Sequence, residues 1–345
     1  MAWSPCRAPW GVDPVIAIPL AELHCHIEGA APPELVRELA QRNGQDITGL
    51  IDEDDGYIWS NFDSFLGAYD RAASVFTRPE DYAELAYAYA CALAEQGTIY
   101  SEIFASTDHA EQAGVDPVAY LDALAAGQKR AEAEHGIACR IIPTGVRHFG
   151  KVSIYRAAEI AVHAAKSNSH IVGFGLAGSE TAGTVNDASP AFDRCAAAGL
   201  GLTCHAGEWT GPDTIRDALT LGVTRIGHGI RAADDTLLVA ELVQRGITLE
   251  VCPQSNLVLQ AVRSQTAHPA MRLHNQGVLV TANSDDPPHF HTSLEKDYAT
   301  MVRLLGGADR PLRAMLTRNA LNSAFMDEET RAKLLAKLDE AVASA

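Results

Sequence analysis

The chain carries side chains whose types and spacing suit a metal-assisted hydrolysis. His24 and His26 stand two apart in AELHCHIEGA, His205 and Glu208 sit in HAGE, His228 in IGHG, and Asp285 and Asp286 are adjacent in NSDDP. Residues two apart on a strand point the same way, so His24 and His26 share one face and Cys25 takes the other. Two imidazoles from one strand, a third from His205 and a carboxylate from the Asp285–Asp286 pair form a mixed nitrogen and oxygen set. Such a set suits zinc or another first-row divalent cation. Each histidine alone reads more readily as a hydrogen-bonded core residue; several at matching strand ends do not. One bound ion would activate water near neutral pH. His228 could orient that water and take its proton, and Glu208 could protonate a substrate nitrogen if a dry pocket keeps its carboxyl neutral.

These residues must be brought together by the elements that carry them. Eight short apolar segments recur, at 15–27, 98–106, 137–146, 171–178, 201–207, 225–230, 247–253 and 278–286. Their character is continuous rather than alternating, as in parallel strands covered on both faces. Helical patterns lie between them, such as 119–136 and 233–246, each closed by a Gly that suits a helix C-terminus. This order predicts an α/β fold, a (β/α)8 TIM barrel, in which all strand ends converge on one mouth. No Gly-rich phosphate loop follows the first strand, which counts against a dinucleotide-binding fold. Adjacent aspartates cannot both face inward along a regular strand, and Pro287 and Pro288 are expected to end it.

The first crossover is long. Residues 44–79 hold Tyr57, Trp59, Phe62, Phe65 and Tyr69, an aromatic insertion on the face where barrels place their sites. It reads as a helical lid or, equally on pattern, as a packing helix. Three amphipathic helices follow the last strand, and no linker interrupts the chain, so residues 1–345 read as one domain.

The formal charge of −17 disfavours nucleic acid and anionic membranes as partners. The apolar run 85–94 is too short to span a bilayer. The first residues lack the apolar core of a signal peptide. Seven cysteines, an odd number, suggest reduced thiols and a cytoplasmic protein. The oligomeric state stays open.

Taken in order, HCHIEGA, GLAGSE, HAGE, IGHG, CPQSN and NSDDP resemble the adenosine deaminase family, a branch of the metal-dependent amidohydrolases. The HxE and PCxxC signature of cytidine-type deaminases is absent. The resemblance implies one zinc ion per chain held by His24, His26, His205 and Asp285. A single ion is expected because GLAGSE and its strand offer no lysine to bridge two. It further implies that Glu208 protonates purine N1 during hydrolytic attack at C6 and that His228 deprotonates the water. Asp286 would accept from N7, the Gly178 amide would contact N3, and His26 would face substrate as well as metal. Phe65, with Phe62, Leu66 and Tyr69, falls in the family's hydrophobic lid. Glu28 stands where nucleoside-specific members usually have Asp in contact with the ribose hydroxyl, and adenine deaminases of the family also carry HIEG. The LAG tripeptide resembles the nucleoside branch more. The expected reaction is therefore zinc-dependent deamination of adenosine, and of deoxyadenosine, to the inosine product and ammonia. The alternatives are adenine or another aminopurine, such as aminodeoxyfutalosine, and more distantly a non-catalytic metal-binding barrel. The second HxH, His289 and His291, is expected at the pocket rim or capping the next helix. Cys252 is expected as a buried small hydrophobe, and Ser255 and Asn256 as supports for the aspartates.

Overall fold

The computed structural model describes residues 18–344. The start of the first expected strand, at Val15, and the segment read for a signal peptide lie outside the described residues. Eight strands form one parallel sheet in sequence order: β1 (Leu20–Glu22), β2 (Thr98–Ala105), β3 (Ala138–Val146), β4 (Gly173–Ala177), β5 (Gly201–Ala206), β6 (Arg225–His228), β7 (Thr248–Val251) and β8 (Leu279–Ala282). The sheet closes on itself beyond the ends of β1 and β8. Cys25 and Asp285 form a parallel bridge, His26 N donates to Asp285 O, and Asp285 N donates to His24 O. Below them Asn283 seals the seam, accepting from Leu23 N at 2.9 Å and donating to Val251 O at 3.2 Å. The architecture is a (β/α)8 barrel.

Strand parity decides what fills it. Glu22, Glu102, Thr203, Arg225 and Glu250 come from five strands and are all buried. Arg225 on β6 pairs with Glu250 of the adjacent β7 at 2.6 Å and with Glu102 of the distant β2 at 2.7 Å, so these groups meet inside the barrel. The intervening residues, such as Ile103, Cys204, Ile226 and Leu249, face outward into the apolar layer under the helices.

β8 stops at Ala282, earlier than the expected end at the prolines, because Asn283 and Ser284 turn their polar groups to the seam and to Glu22. The helices Leu294–Leu305, Asp309–Ser323 and Glu328–Ala343 follow it. The last two cover Ile18, Ala21, Leu23, Ile99 and Tyr100 with Ala320, Leu321, Leu334 and Leu338. Within residues 44–79 the helix Phe62–Ala73 is closed by a reciprocal cap between Asn61 and Ser64. All six cysteines among the described residues are buried and unbridged. Among the described residues no helix is long and apolar enough to cross a membrane.

Candidate active site

The histidines converge at the C-terminal mouth. His26 Nε2 and His205 Nε2 lie 3.0 Å apart, and Asp285 Oδ1 is 3.5 Å from Nε2 of both His24 and His26. His24 Nδ1 meets Glu250 Oε2 at 2.8 Å, while His24 Nε2 is buried with no hydrogen-bond partner. The residue at 227 has to be glycine here, since a Cβ would stand 2.9 Å from His24 Cε1.

His228 and Asp286 depart from strand parity, and a left-handed backbone, at His228 itself and at Asp285, accounts for each. His228 follows Gly227 and would point outward; its φ of 60° turns the imidazole into the mouth. Asp285 has φ 64°, which lets Asp286 line the cavity beside it. Such backbone strain is characteristic of functional sites. It also answers how adjacent aspartates can both face the mouth.

Burial sets the charge states. It lowers His26 to about 3 and His228 to about 4, and lowers His205 well below the usual imidazole range with help from His24 and His26. These shifts favour the neutral form of the three rings, the form in which an imidazole can bind a metal or accept a proton. Burial also pulls His24 down, but Asp285 and Glu250 outweigh it and raise the ring to about 9. Burial, then Asp285 and Glu180, push the Glu208 carboxyl well above its ordinary range. The ring nitrogens of His24, His26 and His205 and the Asp285 carboxylate, with His24 Nε2 buried and lacking a partner, fit a first-row divalent cation, whose binding would displace the proton that Asp285 and Glu250 favour on His24.

Glu208 Oε1 accepts from Asn256 Nδ2 at 3.1 Å and lies 3.7 Å from His228 Nδ1, itself 3.3 Å from Asn256 Nδ2. Asn256 thus supports Glu208 and His228, not the aspartates as expected, and the Ser255 hydroxyl has no partner among the described residues. The loop that carries Glu208 hangs on Glu180, which accepts from the amides of Glu208, Trp209 and Thr210. Arg147 ties the ends of β4 and β5 through Gly178 O and His205 O.

A cavity of about 90 Å³ opens on these groups. Its roof is Phe62, Phe65, Leu66, Tyr69 and Leu259; its far wall includes Ser106, His109, His148 and Gly178. Gly178 has φ 84°, and a Cβ there would stand 2.9 Å from His148 Nδ1. The helix Phe62–Ala73 therefore faces the cavity rather than serving as solvent-side packing. A larger groove of about 1320 Å³ lies at the opposite end, among Ala138, Gly201 and Phe325, far from the histidines.

Glu28 departs from expectation. It does not line the cavity: its carboxylate is buried and accepts from Tyr69 Oη at 3.1 Å and from Tyr120 Oη. The extra methylene relative to Asp lets it reach these hydroxyls below the mouth. His289 is not at the rim either; it is buried and stacks on Tyr57 at 3.9 Å. His291 is exposed, and the helix at Leu294 is capped by Ser293 instead. Cys252 is buried as expected, with His24, His228 and Asp285 around its sulfur.

Glu250, Glu180, Ser106, His109 and Arg147 were not singled out from sequence. Glu250 had a signal, an acid in the otherwise apolar ITLEVCP. Glu180 and Arg147 act across chain separations that no local pattern reveals.

Residues 19–341 match the sequence model of the family described as adenosine deaminase. The chain belongs to that family. This adenosine deaminase family member is a hydrolase of carbon–nitrogen bonds in cyclic amidines, and proteins of its amidohydrolase class bind a metal. It is 49% identical over 319 residues to an adenine deaminase of Sinorhizobium medicae (strain WSM419), covering 92% of this chain and 97% of that protein. The crystal structure of adenine deaminase from Arthrobacter aurescens superposes with TM-score 0.87 at 31% identity, covering 94% of this chain and 99% of that one. An amidohydrolase from Burkholderia ambifaria, solved with bound Zn, shares the fold with TM-score 0.82 at 23% identity, covering 99% and 98%. The expectation of adenosine as substrate is overturned here. Relatives 48–49% identical along 97–99% of their own length are named adenine deaminase, so LAG was a poor guide to the branch and HIEG the better one.

Proposed function

We propose that this chain hydrolyses adenine to hypoxanthine and ammonia, using one zinc ion held by His24, His26, His205 and Asp285. Zinc, when bound there, would supply Lewis-acid activation of water near neutral pH. The observation that carries the free base over the nucleoside is Glu28. The side chain expected to meet a ribose hydroxyl is instead engaged with Tyr69 and Tyr120 below the cavity. The small cavity and the names of the relatives support the same reading.

The residues of the chain divide the work. Glu208, kept protonated by burial, faces N1 and donates to it as C6 becomes tetrahedral. His228, kept neutral by burial, accepts the proton of the attacking water. Asp286, its carboxyl pushed well above the ordinary range by burial and by Asp285, donates to N7 from its buried and otherwise unpartnered end rather than accepting there, and the Gly178 amide faces N3. His26, at the cavity wall, would hold the metal and also face the base. Water adds at C6 and the amino group leaves as ammonia, so atoms balance. Residues 44–79 act as the lid of a single hydrolase domain, with Phe65 packed over the base and the apolar roof excluding solvent.

The test is direct. Purified, zinc-loaded protein is given adenine or adenosine, and ammonia release and the loss of aminopurine absorbance are followed. Adenine should be consumed with a kcat/KM at least about a hundredfold above adenosine. No ammonia from adenine, or a preference for adenosine, would overturn the reading.

A further inference from the structure

A continuous arc of side chains runs along the cavity wall from Tyr69 through His109 to His148. We propose that this arc, locked through His109, is the element that admits a free purine base and refuses its nucleoside. The inference rests on the adenine reading above and on the contacts assigned there.

With N7 at Asp286 and N3 at Gly178, the covalent order of the purine ring places N9 between those two contacts. The side chains between them can be followed one by one. A Cβ on Gly29 would stand 1.7 Å from Asp286 Oδ1 and 2.8 Å from Tyr69 Cε2, so Asp286 and Tyr69 close on the same spot. The Tyr69 ring is 5.3 Å from that of His109, His109 is 5.2 Å from Phe149, and Phe149 is 4.5 Å from His148. His148 in turn abuts Gly178. Tyr69, His109 and His148 all line the cavity.

The arc is held on both sides. His109 Nδ1 lies 2.6 Å from Ser106 Oγ and its Nε2 lies 3.0 Å from Asp70 Oδ1. Ser106 follows β2 on the barrel, whereas Asp70 belongs to the helix Phe62–Ala73 over the mouth. His109 therefore joins the roof to the barrel with both ring nitrogens engaged, and a rotation that made room would break both bonds. Tyr69 is anchored by its bond to Glu28. A ribosyl group on N9 would have to displace this wall, whereas a base with only hydrogen on N9 would not.

The test compares wild type with His109→Ala, Asp70→Ala and His109→Gln, measuring kcat/KM for adenine and adenosine and the thermal shift given by hypoxanthine and inosine. His109→Ala removes the wall, and its adenosine-to-adenine ratio of kcat/KM should rise at least about tenfold. Inosine should then stabilise the variant although it does not stabilise wild type. His109→Gln, which keeps bulk and hydrogen bonding, should hold the wild-type ratio, an outcome that a general loosening of the fold would not give. Asp70 is half-exposed, so Asp70→Ala opens the latch without a core cavity and serves should His109→Ala not fold; it should shift the ratio in the same direction. Folded variants that leave the ratio unchanged, with wild type active on adenine, overturn this inference alone. Wild type that releases no ammonia from adenine overturns the adenine reading and this inference with it.

Discussion

The carboxylate of Glu250 meets His24 Nδ1 at 2.8 Å in the barrel interior, where neither side chain is exposed. Glu250 also accepts from Thr203 Oγ1 at 2.9 Å and pairs with Arg225 Nε. The imidazole is thereby fixed with a proton on Nδ1, leaving Nε2 as the atom that faces Asp285 and the neighbouring histidines. Such a partner orients a metal-binding ring and strengthens its donor atom.

Glu250→Gln should therefore weaken zinc binding by about ten- to a hundredfold while the barrel stays folded. Competition with a coloured chelator measures this without reference to turnover. Affinity equal to wild type would show that His24 needs no such support.

Glu208→Gln should keep its zinc and lose about 10²- to 10⁴-fold in kcat, because the amide cannot deliver the proton. The pH dependence has a definite sign. Burial, then Asp285 and Glu180, raise this carboxyl in the folded state above its ordinary 4.5. Across that window the folded chain holds a proton that the unfolded chain has lost, so this group's contribution to stability falls as pH rises from 4.5 towards the folded value. Activity should fall as pH rises through the folded value, where the donor is lost. Urea melts over a pH series should show the stability slope in wild type and a flatter one in the variant; parallel slopes would contradict the assignment.

Arg225 is the only cation bridging Glu102 and Glu250 among the described residues, and Phe325 covers its guanidinium at 3.7 Å. Arg225→Leu leaves two carboxylates without their ion in a closed interior, which should cost about 3–5 kcal/mol. Arg225→Lys should recover little, since one ammonium cannot match the two directions that Nε and Nη1 serve. Denaturant unfolding at neutral pH checks both.

Gly29→Ala should injure binding more than folding. The added methyl would fall 1.7 Å from Asp286 Oδ1 and must push that carboxylate or Tyr69 aside. Overpacking of this kind costs about 1–3 kcal/mol. The KM for adenine should rise with the displaced Asp286, and a wild-type KM would mean that the carboxylate does not meet the base.

Much of this site is written in strand parity. His24 and His26 share parity with Glu22, His205 with Thr203, and Asp285 with Thr281 and Asn283, so a period of two sends each inward once the strands are recognised. The eight apolar segments and the motifs at their ends were enough to draw the barrel and its mouth. Parity fails for His228 and for the Asp285–Asp286 pair, because a left-handed backbone at His228 and at Asp285 is a product of the closed barrel and no residue type announces it. The branch within the family was misread for a related reason. Whether Glu28 meets a ribose or two tyrosines depends on where Tyr69 and Tyr120 arrive from helices far along the chain.

The chain by itself determined the parallel barrel and which histidines and acids stand at its strand ends, because these follow from local periodicity and side-chain chemistry; the metal-binding set and the proton-transfer pair proposed above came from the family resemblance. Only the tertiary structure decided that Glu250 stands behind His24, that Asn256 and Glu180 hold Glu208, and that His109 bolts the roof to the mouth. Those contacts join residues from separate strands and loops, and they exist only after the sheet has closed and brought the strand ends within hydrogen-bonding distance.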